Sequence, residues 1–381
     1  MKRILLSSPH MSGNEQNYIK DAFDTNWIAP LGPNVDQFEK DIAAYAGVKG
    51  ASVTSSGTGA IHLALDILGV GQGDSVFCSS FTFIASANPA LYLGAELTFI
   101  DSETDTWNMS PKALEHALSD AKKANQLPKA IIVVNLYGQS AQMDELLEIA
   151  NHFHVPIVED AAESLGADYK GKKSGTLGKI GIYSFNGNKI ITTSGGGVLI
   201  SDDEEIVAKS HFLATQARDQ APHYQHSVVG YNYRMSNILA GVGIAQLQVL
   251  DDRVARRREI FETYYQELSS IEGIDFMPEL ENTKSNRWLS ALTVDPTIIQ
   301  LNPYEIMDKM NEVNIETRAL WKPLHLQPLF KNNKFYSNNQ SEKATSTLLF
   351  ERGLCVPSGS NMSDEELTRV IKQLQNILRG C

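Results

Sequence analysis

Val155-Pro156-Ile157-Val158-Glu159-Asp160 is a short apolar run that ends on a carboxylate. Its length, its β-branched residues and the proline near its start suit a buried strand over 156–159 better than a helix. A second run of the same kind, Ala130-Ile131-Ile132-Val133-Val134, lies upstream, and 142–153 between them carries helical spacing. Strand, helix, strand is the unit from which parallel sheets are built. Working outward, Ala51-Ser52-Val53-Thr54, Ser75-Val76-Phe77-Cys78 and Glu96-Leu97-Thr98-Phe99-Ile100 read as further strands, with helices predicted over 58–68, 83–93 and 111–123. The fold class is therefore α/β, a mostly parallel sheet covered by helices.

Beyond Tyr183-Ser184-Phe185, the segment Gly197-Val198-Leu199-Ile200 reads as a strand, 203–215 as a helix, and 235–269 as long helical material with a joint near Asp251. The expected division is an N-terminal segment and large domain over 1–251 and a smaller C-terminal α+β domain over 252–381. The smaller part carries predicted strands near 287–294 and 315–319 and a helix from Ser363, where Ser363-Asp364-Glu365-Glu366 resembles a capping box. The stretch 216–234 is long, polar and aromatic, and ordered loops of that length tend to be functional.

A net charge of -12 disfavours a general nucleic-acid or anionic-membrane binder, so an anionic substrate would need a local positive pocket. No run of 18 apolar residues is present, and Met1-Lys2-Arg3-Ile4-Leu5-Leu6 is too short an apolar stretch for a signal peptide. Cys78, Cys355 and Cys381 are scattered without metal-ligand spacing. A reducing, cytoplasmic setting with no metal and no disulfide framework is expected.

Lys189 follows Ser184-Phe185-Asn186-Gly187-Asn188 and precedes Ile190-Ile191-Thr192-Thr193-Ser194 and three glycines, 29 positions after Asp160. Upstream, Ser55-Ser56-Gly57-Thr58-Gly59-Ala60 puts small residues at a helix start directly after a strand, where free N–H groups favour an anion. An amine, a strand-end acid and an anion cup are what pyridoxal phosphate requires: a Schiff-base partner, a counter-charge for the pyridine nitrogen and donors for the phosphate. Each piece also has an ordinary reading. The small-residue turn could be a plain N-cap, Asp160 a cap for a helix from Ala161, Lys189 a surface charge. Glu163 could approach the cofactor's phenolic oxygen or face solvent. Phe81 and Phe83 follow a strand end, and one of them could stack on a flat ring.

Taken in order, these motifs resemble the sugar-nucleotide aminotransferases of the DegT/DnrJ/EryC1/StrS family, within the fold type I, aspartate aminotransferase-like class. The resemblance also rests on Ser12-Gly13-Asn14-Glu15, Thr25-Asn26-Trp27-Ile28-Ala29-Pro30-Leu31-Gly32-Pro33, Glu159-Asp160-Ala161-Ala162-Glu163-Ser164, Gly230-Tyr231-Asn232-Tyr233-Arg234-Met235-Ser236-Asn237 and Ile315-Glu316-Thr317-Arg318. It implies Lys189 as Schiff-base lysine and proton carrier, Asp160 on the pyridine nitrogen, and Ser184 with Gly57 and Thr58 on the phosphate. It also implies Phe83 against the ring and Asn232 donated by the partner of a homodimer with shared sites. Gly59 departs from the alanine or other small residue usual there. Family members with histidine in place of the lysine are associated with dehydration, which Lys189 disfavours.

On the substrate side the resemblance implies Asn26, Trp27, Ile28 and Ala29 as a substrate loop, Ser56 and Asn186 near the sugar, and Arg318, Ala319, Leu320, Trp321 and His325 as a small-domain wall. Core packing is the ordinary alternative for Trp27 and Trp321. Arg318 would pair with a diphosphate. The implied reaction takes an amino group from L-glutamate to C4 of a UDP-linked 4-keto-6-deoxy-N-acetylhexosamine. The alternatives are a GDP-perosamine synthase-type or dTDP-sugar enzyme, an aminotransferase for amino acids or inositols, and a non-enzymatic cofactor-binding regulator.

Overall fold

The computed structural model describes residues 2–339 and 342–379, so Met1 and Cys381 lie outside the described residues. Its largest sheet has eight strands in the order Gly50–Thr54, Gly197–Ser201, Ile180–Ser184, Ile157–Asp160, Ala130–Val134, Ser75–Ser79, Glu96–Ile100, Lys334–Tyr336. Gly197–Ser201 runs antiparallel to both neighbours and the other pairings are parallel. Ala130–Val134 is buried at every residue because helices cover both faces. One face packs Pro33–Ala46 and Gly57–Ile67 into the main core, and the other packs Pro111–Lys123 and Met143–His152 into a separate apolar layer.

A four-stranded antiparallel sheet, ordered Ile274–Phe276, Ser290–Val294, Gly353–Val356, Arg318–Ala319, has its own core with the helices Leu250–Leu268, Pro303–Glu312 and Asp364–Arg379. Asp364–Arg379 buries Leu367, Val370, Ile371, Leu374 and Leu378 at helical spacing, and each such side chain contributes about 2 kcal/mol. Its start is the expected capping box: Ser363 Oγ accepts from Glu366 N, and the Glu366 carboxylate accepts from Ser363 N, both at 3.2 Å. The chain after residue 252 does not stay apart, however. Lys334–Tyr336 joins the edge of the large sheet, and Ile4 pairs with Ile315 beside the small one.

Two predicted helices differ from the structure. The 83–93 segment breaks into a 3-10 turn, Ile84–Ser86, and a helix, Asn88–Tyr92, and 235–269 breaks at Gln248 and Val249 rather than at Asp251. The ends Thr54, Val134, Asp160 and Ser184 and the beginning at Gly197 meet at one edge of the large sheet. Ligands bind at this carboxyl edge in open α/β sheets. No described helix is long and apolar enough to cross a membrane.

Candidate active site

At that edge lies a cavity of about 520 Å³, whose lining includes Ser56, Gly57, Thr58, Phe83, Asp160, Glu163, Ser184, Asn186, Lys189, Arg318 and Trp321. Asp160 is 3% exposed. No helix follows it, so it is not a helix cap. Instead its Oδ2 accepts from Ser86 Oγ at 2.7 Å and its Oδ1 from Ala162 N at 3.1 Å. Burial pushes this acid upward, opposed by those two donors and the Lys189 charge. A cationic ring nitrogen beside it would offset the same burial penalty.

Glu163 is buried three residues on. Its Oε1 lies 3.5 Å from Lys189 Nζ and its Oε2 accepts from Tyr137 N at 2.8 Å. Burial raises it, and the Lys189 charge and the Tyr137 N–H oppose the rise. The Lys189 side chain is only 13% exposed, so it is not a surface charge.

The candidate anion cup lies where the helix Gly57–Ile67 meets two strands. Ser56 caps it, Oγ accepting from Gly59 N at 3.0 Å and its carbonyl from Ala60 N at 3.1 Å, so the N–H groups of Gly57 and Thr58 precede the first helical bond and can face an anion. A Cβ on Gly57 would come 3.1 Å from Ser184 Cβ. One on Gly197 would fall 2.5 Å from the Ser56 carbonyl carbon. Glycine at both positions lets Ser184 and the helix start converge. A Cβ at Gly59 would sit 3.3 Å from both Ser56 Oγ and Tyr233 Cδ2, so the small residue usual there would be tight but not excluded. Amine, buried acid and backbone cradle in one cavity fit pyridoxal phosphate. Bound there, it supplies an aldehyde for amine exchange and a ring that accepts an electron pair.

The other expected residues separate. Phe83 is half exposed and its ring lies 5.2 Å from that of Trp321, whereas Phe81 is core. Arg318 stands at the rim, 60% exposed, held by Glu316 Oε1 at 2.7 Å. Ala319 lines an adjoining cavity and Leu320 is buried in the core. His325 does not line the cavity: its Nδ1 is 2.7 Å from Ser80 Oγ, its Nε2 3.3 Å from Thr347 Oγ1, and its ring stacks on Phe335 at 3.7 Å. Nor do Asn26, Trp27, Ile28, Ala29 and Asn232 reach the cavity of their own chain. The 26–29 loop is fastened to Asn237, which donates from its side chain to Trp27 O at 3.1 Å and from its backbone to Ala29 O at 2.8 Å. Asn232 is exposed on the 216–234 loop, beside Tyr231 and Tyr233 stacked at 5.0 Å.

Three residues that hold this site, Ser86 and Trp288 in the cavity lining and Tyr137 behind it, are not evident from the sequence. Ser86 holds Asp160, Tyr137 holds Glu163, and the Trp288 ring centroid lies 4.2 Å from Lys189 Nζ. None has a local motif. Each is identified only by what the fold brings opposite it.

Comparison with known proteins agrees with this geometry. The profile of the DegT/DnrJ/EryC1/StrS aminotransferase family matches residues 9–375. EpsN of Bacillus subtilis, a provisionally assigned pyridoxal phosphate-dependent aminotransferase, is 59% identical over 99% of this chain and 96% of its own. A GDP-perosamine synthase of Caulobacter vibrioides is 35% identical over 99% of both chains. A UDP-4-amino-4,6-dideoxy-N-acetyl-β-L-altrosamine transaminase of Campylobacter jejuni is 33% identical over 79% of both. Among solved structures, a family aminotransferase from Brucella abortus superposes with a TM-score of 0.88 at 27% identity, over 97% of this chain and 95% of that one. The chain belongs to the DegT/DnrJ/EryC1/StrS family and is a pyridoxal phosphate-dependent sugar aminotransferase.

Proposed function

We propose that the enzyme transfers an amino group from L-glutamate to C4 of a UDP-linked 4-keto-6-deoxy-N-acetylhexosamine, giving a UDP-4-amino-4,6-dideoxy sugar for glycan assembly. The observation that carries the reading is the Lys189 amine, nearly buried and 3.5 Å from Glu163, in the cavity that also holds Asp160 and the Gly57–Thr58 turn. In this reading Asp160 pairs with the ring nitrogen, and Ser184 with the first N–H groups of Gly57–Ile67 holds the phosphate. Phe83 covers the ring face. Lys189, displaced by the donor's amine, would take the proton from the donor's α-carbon and return it across the donor nitrogen, to the cofactor carbon which that nitrogen joins. Water then releases 2-oxoglutarate. The keto sugar enters, and the same residues run the steps in reverse.

Arg318, at the cavity rim of a chain with net charge -12, supports a diphosphate substrate. The UDP class is supported by the Campylobacter relative and by the motif resemblance at 25–33 and 184–189. The exposure of Asn232, Trp27 and Ile28, away from their own chain's cavity, supports a homodimer in which each chain completes its partner's site. A GDP-linked substrate is the second reading, favoured by the full-length Caulobacter relative. Purified protein incubated with glutamate and a panel of UDP-, GDP- and dTDP-4-keto sugars separates these. Turnover of the UDP sugar is expected, and turnover only of free keto acids or inositols overturns the proposal. Lys189→Ala is expected to abolish both turnover and the absorbance band of the lysine-bound cofactor, and an active, normally coloured variant would overturn the role of Lys189.

A further inference from the structure

Trp288 stands in the wall between the cofactor cavity and a second cavity of about 330 Å³, and it is held at four points. Its indole Nε1–H donates to Asn188 O at 2.8 Å. Its peptide N donates to Asn286 Oδ1 at 2.8 Å, and Asn286 Nδ2 in turn donates to Glu163 O at 2.9 Å. Its carbonyl accepts from Arg257 Nη1. Its ring stacks against Tyr137, with 6.3 Å between centroids and 17° between planes. Trp288 is 1% exposed, so the face it turns to Lys189 Nζ is desolvated on all but the cavity side.

Arg257 shows how firmly that position is fixed. It is a fully buried guanidinium whose Nη2 donates to Ser7 Oγ at 3.0 Å, and Ser7 Oγ donates to Asn188 O at 3.0 Å. Burial and the charge of Arg253 lower Arg257 to about 9. Retaining a cation there is costly, and what it holds is the main chain of Trp288 and the serine that supports the lysine loop.

We infer that Trp288 is a catalytic residue of this enzyme, holding the Lys189 amine on its indole face while its N–H fixes the Asn188 peptide next to that lysine. The inference rests on the proposed role of Lys189 as proton carrier. When the donor's amine displaces Lys189, the freed nitrogen has a defined position between the Trp288 ring and the Glu163 carboxylate. The donor's α-C–H bond then breaks, its proton forms the third N–H bond of Lys189, and the electron pair stays with the bound cofactor. Return of that proton restores the neutral amine. An aromatic face attracts an ammonium, so the Trp288 ring holds the Lys189 nitrogen in place as it takes the proton.

Two variants separate the ring from its bulk: Trp288→Phe keeps an aromatic face and loses the N–H, and Trp288→Leu loses both. In the cofactor-free protein, amidination of Lys189 by methyl acetimidate, read by peptide mass spectrometry, reports how closely the amine is held against the ring. It is expected to be about tenfold faster in Trp288→Leu than in wild type, with Trp288→Phe between them. In the loaded enzyme, single-turnover reaction with L-glutamate is expected to slow in the same order, with a larger isotope effect for α-deuterated glutamate and unchanged glutamate affinity. If Trp288→Leu does not fold, Trp288→Met takes its place. Wild-type labelling rates and isotope effects in the variants would overturn the role of Trp288 and leave the aminotransferase reading intact. The expected labelling order in an enzyme that turns over no keto sugar would do the reverse.

Discussion

The backbone N–H of Tyr137 donates to the Glu163 carboxylate at 2.8 Å, while the Tyr137 hydroxyl accepts from the backbone N–H of Trp321 at 2.9 Å. One residue thus ties the acid beside Lys189 to the segment that carries Arg318 and Trp321. Tyr137 adopts φ 51° and ψ 14° to do so, a left-handed conformation uncommon outside glycine. Tyr137→Phe keeps the backbone contact and the stacking on Trp288 but leaves the Trp321 N–H without its acceptor. A loss of about 1 kcal/mol in denaturant unfolding is expected, with a raised KM for the sugar nucleotide and an unchanged cofactor spectrum. An altered spectrum with unchanged KM would show that the hydroxyl serves the cofactor instead.

Asp160 makes opposite demands on the empty and the loaded enzyme. Burial raises this acid in the folded chain, so between the ordinary aspartate range near pH 4 and its raised folded value the native state binds more protons than the unfolded state. Stability of the cofactor-free protein therefore falls as pH rises through that window. Asp160→Asn keeps the shape and removes the charge. It is expected to raise the melting temperature of the cofactor-free protein at neutral pH, with the difference vanishing toward pH 4. The same variant is expected to weaken cofactor binding and to lower kcat by on the order of 100-fold or more, because in the proposed function Asp160 is the counter-charge of the ring nitrogen. Melting curves across pH, with and without cofactor, check both signs.

The glycines near Lys189 are not equivalent. A Cβ at Gly187 would meet nothing within 4 Å, whereas one at Gly197 would collide with the Ser56–Gly57 peptide at the candidate anion cup. Gly187→Ala is expected to change stability by less than about 0.5 kcal/mol. Gly197→Ala is expected to cost about 1–3 kcal/mol, because backbone rather than a flexible side chain must move, and to weaken phosphate and cofactor binding together. Calorimetric titration with pyridoxal phosphate reads the second effect directly. Full affinity in Gly197→Ala would mean that the helix start does not form the cup.

The contrast between these glycines shows where sequence reading succeeds and where it stops. Ala130–Val134 and Glu96–Ile100 fall on strands with the expected bounds because apolar, β-branched runs have few other places to go in an α/β fold. Asp160, Lys189 and the Gly57–Thr58 turn carry order and spacing that survive in one dimension. Ser86 was hidden inside a predicted helix that breaks around it: it bonds to Thr82 at 3.0 Å and to Asp160 at 2.7 Å. Trp288 lies 99 residues beyond Lys189 and has no motif of its own. Lys334–Tyr336 carries no apolar run, so its pairing with Glu96–Ile100 at the sheet edge left no periodic signal.

His325 makes the same point and yields a measurable consequence. The family resemblance implies a substrate wall for it, whereas the fold lays it between Ser80 and Thr347 with its ring on Phe335. Burial holds its pKa down at about 4, with the nearby Asp101 charge opposing the shift. The unfolded histidine titrates near 6.5, so between pH 4 and 6.5 the unfolded chain binds the extra proton and the native one does not. The stability associated with neutral His325 is therefore fully present above about pH 6.5 and is lost as pH falls toward 4. His325→Gln, which retains hydrogen-bonding capacity toward Ser80 or Thr347 without titrating, is expected to flatten the acid limb of the stability curve in this window. It is expected to leave KM for the nucleotide sugar within about twofold of wild type, as for a residue that makes no substrate contact. A tenfold or larger rise in KM, with the acid limb unchanged, would return His325 to the substrate wall.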